Sequence, residues 1–161
     1  MRVAFLDDSR LQTVPRAILA ALRVYLGVIF FVAAQRKVGV DISRGIVGFL
    51  TTVRPDTYGF YRSFLDAVVL PHASAFGLLV TYGELFAALS LLAGAATRAG
   101  AVVAALLLAN YALAKGARPW DPSSNDVAMI CIAIAVFAGR AGRAFGVDYY
   151  LARRWPRSPL W

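Results

Sequence analysis

Four long apolar stretches alternate with shorter polar segments along the chain. Each stretch approaches the roughly 20 residues that a helix needs to cross a bilayer, so we expect four transmembrane helices. Their predicted ranges are about 17–37, 73–97, 99–115 and 126–146. The fourth stretch is the weakest, because only thirteen uncharged residues, from 127 to 139, precede Arg140. The pattern predicts an all-α integral membrane four-helix bundle, with residues 1–161 in a single membrane domain.

The connection between the first two predicted helices has a helical pattern of its own. Tyr58 and Tyr61 recur at helical spacing, whereas Arg62 and Asp66 project from another side. Aromatic residues of this kind favour the depth of the lipid headgroups. We therefore expect an amphipathic interfacial helix within residues 44–70.

The amino-acid composition supports a membrane protein and argues against several other classes of protein. Hydrophobic residues make up 60% of the 161 positions, well above the usual share in soluble domains. The net charge is +8, but the basic residues flank apolar runs, so we expect no nucleic acid partner. A single histidine, His72, and a single cysteine, Cys131, leave no ligand set for bis-histidine haem or structural zinc. We expect no metal and no cofactor bound by this chain alone.

A few polar residues interrupt the apolar helices. Glu84 is the only glutamate in the chain and lies inside the second stretch. From the predicted helix ends, Arg23 lies about 8 Å from it along the bilayer normal, whereas Lys37 lies about 12 Å further out. We therefore expect Glu84 to pair with Arg23, and Asn110 and Tyr111 to complete a hydrogen-bonded cluster.

Two interpretations of this cluster remain open. A buried ion pair that only fixes helix order is one, because charges inside membranes usually pair. In the other, Glu84 handles a proton, or Glu84, Arg23 and Asn110 receive the polar head of a lipid-soluble ligand such as a quinone. A smaller alternative is that Glu84 pairs with another protein chain.

Basic residues are dense after the last apolar stretch. We expect these side chains to contact anionic lipid headgroups or a partner protein. They are Arg140, Arg143, Arg153, Arg154 and Arg157. The excess of positive charge on the side of the termini favours an inner membrane orientation with both termini cytoplasmic.

Three segments resemble the DoxX-like family of small four-helix bacterial membrane proteins, which includes the DoxD-type subunit of thiosulfate:quinone oxidoreductase. They read LRVYLGVIFFVAAQRKV, GELFAALSLLAGAATRAGA and GRAGRAFGVDYYL. The family-like positions are Arg23, Gly27, Lys37, Glu84, Gly94, Arg98, Gly142, Arg143 and Asp148. The resemblance implies a four-helix bundle with cytoplasmic termini and an association with quinone or thiol redox systems.

The leading hypothesis is a multi-pass membrane protein that serves as a quinone-associated redox subunit. Its polar site is predicted to contain Arg23, Lys37, Glu84 and Asn110, with quinone as the candidate ligand. Membrane lipids and other membrane protein subunits are the predicted partners. The main alternative is a non-catalytic accessory subunit of a larger respiratory or photosynthetic membrane complex, and a third is a small transporter or proton channel. Whether the chain is an enzyme stays open at this stage.

Overall fold

The computed structural model describes residues 8–37, 41–120, 124–158 and 160, and within these residues the chain is all-α with no strand. We label the α-helices α1 to α7 in chain order. They are α1 Asp8–Gln35, α2 Ile42–Val53, α3 Gly59–Phe64, α4 Ala73–Ala93, α5 Thr97–Ala114, α6 Asp126–Ala138 and α7 Asp148–Arg154. The predicted all-α class is confirmed.

Four of these helices form a closed ring of contacts. α1 packs against α4, α4 against α5, α5 against α6, and α6 returns to α1. The core between them holds several alanines, among them Ala87, Ala104 and Ala133, beside larger residues such as Leu26 and Leu91. Small side chains at these positions let helix backbones approach closely, which is how membrane helices associate without a hydrophobic driving force.

Three helical segments are long and apolar enough to cross a bilayer. They are Pro15–Gln35, Gly59–Ala93 and Thr97–Ala114. α6 is apolar but has 13 residues, about 20 Å of helix against a hydrocarbon thickness of about 30 Å. It ends at Ala138, short of the predicted residue 146, because Arg140 adopts a left-handed conformation and a 3₁₀ turn follows. Three candidate spans are therefore established, and the fourth stays a prediction.

The connection between α1 and α4 is not one long interfacial helix. α2 is a separate helix that packs on α4, and a turn at 54–58 that includes Pro55 ends it. α3 then runs without a break into α4 through a π-helical turn, Leu65–Val69, and a 3₁₀ turn, Leu70–His72. Pro71 lies in that 3₁₀ turn and cannot donate an α-helical hydrogen bond, which accounts for the local change of helix type.

The C-terminal segment closes one end of the bundle. Asp148 is fully buried, and its two carboxylate oxygens accept hydrogen bonds from the backbone amides of Ala96 (2.7 Å) and Thr97 (2.9 Å). These amides belong to the start of α5, so Asp148 caps a helix from a distant part of the chain. The residue at the N-cap position itself, Ala96, has no side-chain acceptor. The turn between α4 and α5 is thereby fixed to the segment that begins α7.

Candidate functional site

Glu84 lies on α4 with only 1% of its surface exposed, and both carboxylate oxygens have partners. The Lys37 ammonium donates to one oxygen, and the Tyr111 hydroxyl donates to the other at 2.5 Å. A carboxylate inside a membrane is costly without such partners. The two donors come from the end of α1 and from α5, so the cluster ties three elements together.

The Lys37–Glu84–Tyr111 cluster borders a cleft of about 510 Å³ between α1, α2, α4 and α5. This volume falls within the range of pockets that hold small molecules. Ile46, Phe49 and Val80 supply apolar walls, and Lys115 adds a second ammonium. The cleft therefore combines a mostly apolar lining with a few convergent polar groups.

α2 forms one side of this cleft, and a side-chain cap fixes the start of the helix. The Asp41 side chain accepts hydrogen bonds from the amides of Ser43 (3.1 Å) and Arg44 (3.2 Å). Hydrogen bonds from the Ser43 hydroxyl and these amides hold the pKa of Asp41 below its usual range. Asp41 thus adds a negative charge at the mouth of the cleft, which it lines.

Lys37 faces Glu84 because of the register between α1 and α4. At Gly27 an added Cβ would lie only 3.0 Å from the Leu92 side chain, so these residues are level and the helices are in close contact. The two helices run in opposite directions. From Gly27 the chain reaches Lys37 ten residues later, two residues past the end of α1 at Gln35. Eight residues, about 12 Å, back along α4 from Leu92 lead to Glu84.

The predicted pairing of Arg23 with Glu84 is wrong. Arg23 is buried, at 2% exposure, but its guanidinium lies beside Gly94 and Gly146, at the end of the bundle where α4 turns into α5. One of its nitrogens lies 3.4 Å from the carbonyl oxygen of Phe145. Arg23 lies twelve residues, about 18 Å of helix, before the end of α1 at Gln35, and Lys37 lies two residues beyond that end. The error arose because depths counted from predicted helix ends took no account of the close contact that sets the register.

Asn110 does not join the cluster either. Its amide oxygen accepts a hydrogen bond from the Tyr61 hydroxyl, and its amide nitrogen donates to the carbonyl oxygen of Leu106 at 2.9 Å. Tyr111, the next residue, is the one that reaches Glu84. One residue turns an α-helix by about 100°, so neighbours in sequence face different surroundings.

Of the four residues predicted to share a polar site, the structure brings together Lys37 and Glu84. Sequence reasoning missed Lys115 and the apolar wall that α2 supplies. Lys115 lies four residues after Tyr111, with its ammonium 5.8 Å from the tyrosine ring centre, and it also pairs with Asp126 at 2.8 Å. The spacing of four between Tyr111 and Lys115 is the one signal that places them on the same helix face.

The predicted arginines lie at the opposite end of the bundle from the Glu84 cleft. Arg143 lines a second cavity, of about 630 Å³, together with Arg16 of α1. Arg153 and Arg154 lie over the rings of Tyr149 and Trp155, at 4.3 and 5.9 Å. Arg140 and Arg157 are exposed. Their contact with anionic lipid headgroups or a partner protein stays a prediction.

Comparison with known protein families finds a match over most of the chain. The DoxD family, described as "TQO small subunit DoxD", matches residues 18–159 of this chain. No curated protein and no solved structure matches. The family match includes all three candidate spans except the first residues of the first span. This chain, a membrane protein by its apolar helices, therefore belongs to the DoxD family.

Proposed function

We propose that this protein is a quinone-associated redox subunit of a membrane complex, and that the Glu84 cleft receives the polar head of the quinone. The family description, the small subunit of TQO, supports a role beside other subunits. The observation that carries the proposal is the position of Glu84. Its paired carboxylate borders an open cleft of quinone size instead of lying in the close-packed core.

The chemistry of the cluster suits a quinone head. Quinone carbonyl oxygens are hydrogen-bond acceptors, and the ammonium groups of Lys37 and Lys115, which both line the cleft, can donate to them. Reduction of a quinone takes up protons as well as electrons, and Glu84 is a carboxyl group that can hold a proton at this position. In this proposal Lys37 orients the substrate, Tyr111 holds the Glu84 carboxyl group in position, and a partner subunit supplies the electrons.

Binding of a short-chain quinone to the purified protein tests this role directly. We expect Tyr111→Phe and Glu84→Gln to weaken quinone binding by about tenfold, the cost of one or two lost polar contacts. The readout is the quinone concentration that half-saturates the shift in unfolding temperature in neutral detergent. Tyr82→Phe is the matched control, because Tyr82 lies on α4 with its side chain exposed.

The Tyr82→Phe control distinguishes a general effect of replacing a tyrosine by phenylalanine from an effect specific to the cleft. Circular dichroism and size-exclusion chromatography must show each variant folded and monodisperse. Equal quinone binding by the folded wild-type, Tyr111→Phe and Glu84→Gln proteins would remove the proposal.

A non-catalytic accessory subunit is the second candidate function. It is favoured by large aromatic side chains that protrude from the connections, namely Phe60 at 70% exposure and Trp120 at 77%. Exposed aromatic residues are enriched where proteins meet partners. This role predicts a large complex that contains the chain after gentle extraction, with unchanged electron transfer in the Glu84→Gln variant. A chain that migrates alone at its own mass would count against it.

We also propose that the protein lies in the inner membrane as a multi-pass protein with both termini cytoplasmic. Support comes from the arrangement of charge, because Arg16, Arg98 and Arg143 all lie at the end of the bundle where α1 begins and α7 follows. Lys and Arg near membrane spans favour the cytoplasmic side. By this proposal the Glu84 cleft lies toward the opposite, periplasmic face.

A further inference from the structure

We propose that the cavity between Arg16 and Arg143 binds the phosphate group of an anionic membrane phospholipid. This terminal-end cavity is separate from the Glu84 cleft, so the proposal does not depend on quinone binding. It has a volume of about 630 Å³. Arg16 comes from α1 and Arg143 from the 3₁₀ turn after α6, so two distant segments place basic side chains around one space.

The lining of the terminal-end cavity favours an anion. Among the described residues that line it, none is acidic, and the polar side chains besides the two arginines are Tyr149 and Tyr150. The nearby carboxylate of Asp148 is turned away, since both of its oxygens accept backbone hydrogen bonds at the start of α5. Among the described lining residues, the two arginines and the two tyrosine hydroxyls are donors, and no carboxylate is present to repel a phosphate.

A third arginine adds positive charge behind the wall of the cavity. Phe145 and Gly146 form part of that wall, and the Arg23 guanidinium lies against them, 3.4 Å from the Phe145 carbonyl oxygen. Its Nε and Nη1 atoms are buried and have no hydrogen-bond partner among the described residues. The buried Asp148 carboxylate interacts electrostatically with this guanidinium, so Arg23 adds a positive charge behind the cavity wall that Asp148 partly offsets.

The depth of the cavity in the membrane points to a lipid as the source of the phosphate. Arg16 is the second residue of the first candidate span, Pro15–Gln35, and so lies where the apolar helix begins. Phe145 and Tyr150 leave large apolar surfaces exposed around the same opening. Aromatic and basic side chains together are typical of headgroup depth, where a phosphate carries acyl chains that need an apolar surface.

This inference narrows the broader prediction of five lipid-facing arginines. Arg143 alone among them lines the cavity, whereas Arg153 is stacked on Tyr149 and Arg154 on Trp155. Arg16 was not predicted, because an isolated arginine at the start of an apolar run has no sequence signal for a site. Guanidinium groups bind phosphate oxygens in pairs of parallel hydrogen bonds, which suits arginine better than lysine here.

Lipid retention by the purified protein tests the proposal. The full chain is extracted in neutral detergent, delipidated, and titrated with phosphatidylglycerol or phosphatidylcholine, and bound lipid is counted by native mass spectrometry. We expect the wild-type protein to prefer phosphatidylglycerol. The Arg16→Gln/Arg143→Gln variant should lose at least about tenfold in phosphatidylglycerol affinity, with no change toward phosphatidylcholine.

The matched control is Arg140→Gln/Arg157→Gln, which removes the same charge from the same end of the bundle but outside the cavity. Its affinity should stay within about twofold of wild type. An equal loss in both double variants would assign binding to the basic surface as a whole and overturn the cavity site. If Arg16→Gln/Arg143→Gln does not fold, Arg16→Gln alone, at an exposed position, must still lower phosphatidylglycerol affinity.

Two further outcomes would overturn the proposal. If the wild-type protein binds phosphatidylglycerol no better than phosphatidylcholine, the cavity does not select an anionic lipid, and an acidic protein segment becomes the candidate ligand. Displacement of phosphatidylglycerol by inorganic phosphate at equal concentration would identify a soluble phosphate compound, not a lipid, as the ligand.

Discussion

At the scale of single residues, Glu84 determines what the site can do. Its carboxylate is buried, yet it is paired with a lysine that remains 35% exposed. An ion pair that reaches from the protein interior to the mouth of a cleft can be opened by a ligand more easily than one sealed in the core. The Lys37–Glu84 pair can therefore stabilise the bundle and still exchange its partners when a ligand binds in the cleft.

Double-mutant cycles test the corrected pairing. We expect Lys37→Gln and Glu84→Gln to be coupled by about 1 kcal/mol in the free energy of unfolding, a modest value because water screens the partly exposed lysine. Arg23→Gln should be additive with Glu84→Gln within about 0.5 kcal/mol, since the two residues are far apart. Reversible unfolding in mixed detergent micelles measures both cycles. Coupling of Glu84 to Arg23 instead of Lys37 would contradict the observed register.

The residue types of the site could be predicted from sequence, but not their grouping. A glutamate within an apolar helix can be recognised as a site residue from sequence, because placing its charge inside a membrane is energetically costly. The partner of Glu84 could not be identified from sequence. The depth of Lys37 or Arg23 relative to Glu84 depends on how Gly27 packs against Leu92. The sequence around a glycine in an apolar helix does not indicate which residue of another helix will pack against it.

At the scale of elements, the segment from Ala141 to Asp148 acts as a clamp on the turn between α4 and α5. Gly142 packs where an added Cβ would lie 2.0 Å from the Asp148 carboxylate and 2.1 Å from the Thr97 hydroxyl. Any side chain at 142 therefore displaces the cap of α5. The lack of a local capping residue at Ala96 explains why the sequence around α5 did not reveal this contact.

Gly142→Ala tests this clamp. We expect it to lower the free energy of unfolding by about 2 kcal/mol, the usual cost of forcing a methyl group into a filled space. Gly59→Ala is the matched control, because an added Cβ there meets no atom within 4 Å. Thermal unfolding of both variants in the same detergent gives the comparison. Similar unfolding temperatures for the two variants would contradict the clamp.

Helix existence could be predicted better than helix ends. The apolar runs located α4 and α5 to within a few residues, because long apolar helices have a strong signal. The end of α6 at Ala138 lies where the uncharged run 127–139 stops before Arg140, whereas the predicted end at 146 placed Arg140 and Arg143 inside the helix. The joining of α3 to α4 across Pro71 was missed because proline usually ends a helix.

At the scale of the whole molecule, the two ends of the bundle differ in chemistry. One end holds the Glu84 cleft, with a paired carboxylate among apolar walls. The other holds the terminal-end cavity, with arginines and tyrosines. Close packing of α1, α4, α5 and α6 separates the two. A ligand at one end therefore has no open path to the other through the described core.

The orientation of this bundle in the membrane is the last prediction. Arg16 and Arg143 line one cavity, and Gly139 packs against the Leu19 side chain, so the start of α1 and the segment after α6 share one side. Reporter fusions at the N terminus and the C terminus should therefore both report the cytoplasm, as the basic residues there require. A fusion after Arg118, between α5 and α6, should report the opposite compartment.

This prediction also decides whether α6 crosses the membrane. Its 13 residues fall about 10 Å short of the hydrocarbon thickness, but a bilayer can thin locally and arginines after the helix can reach the headgroups. Antiparallel packing against α5 then carries the chain back to the side of Arg16. A C-terminal fusion that reports the periplasm beside a cytoplasmic N terminus would mean three spans, and would separate in the membrane two arginines that share a cavity in the structure.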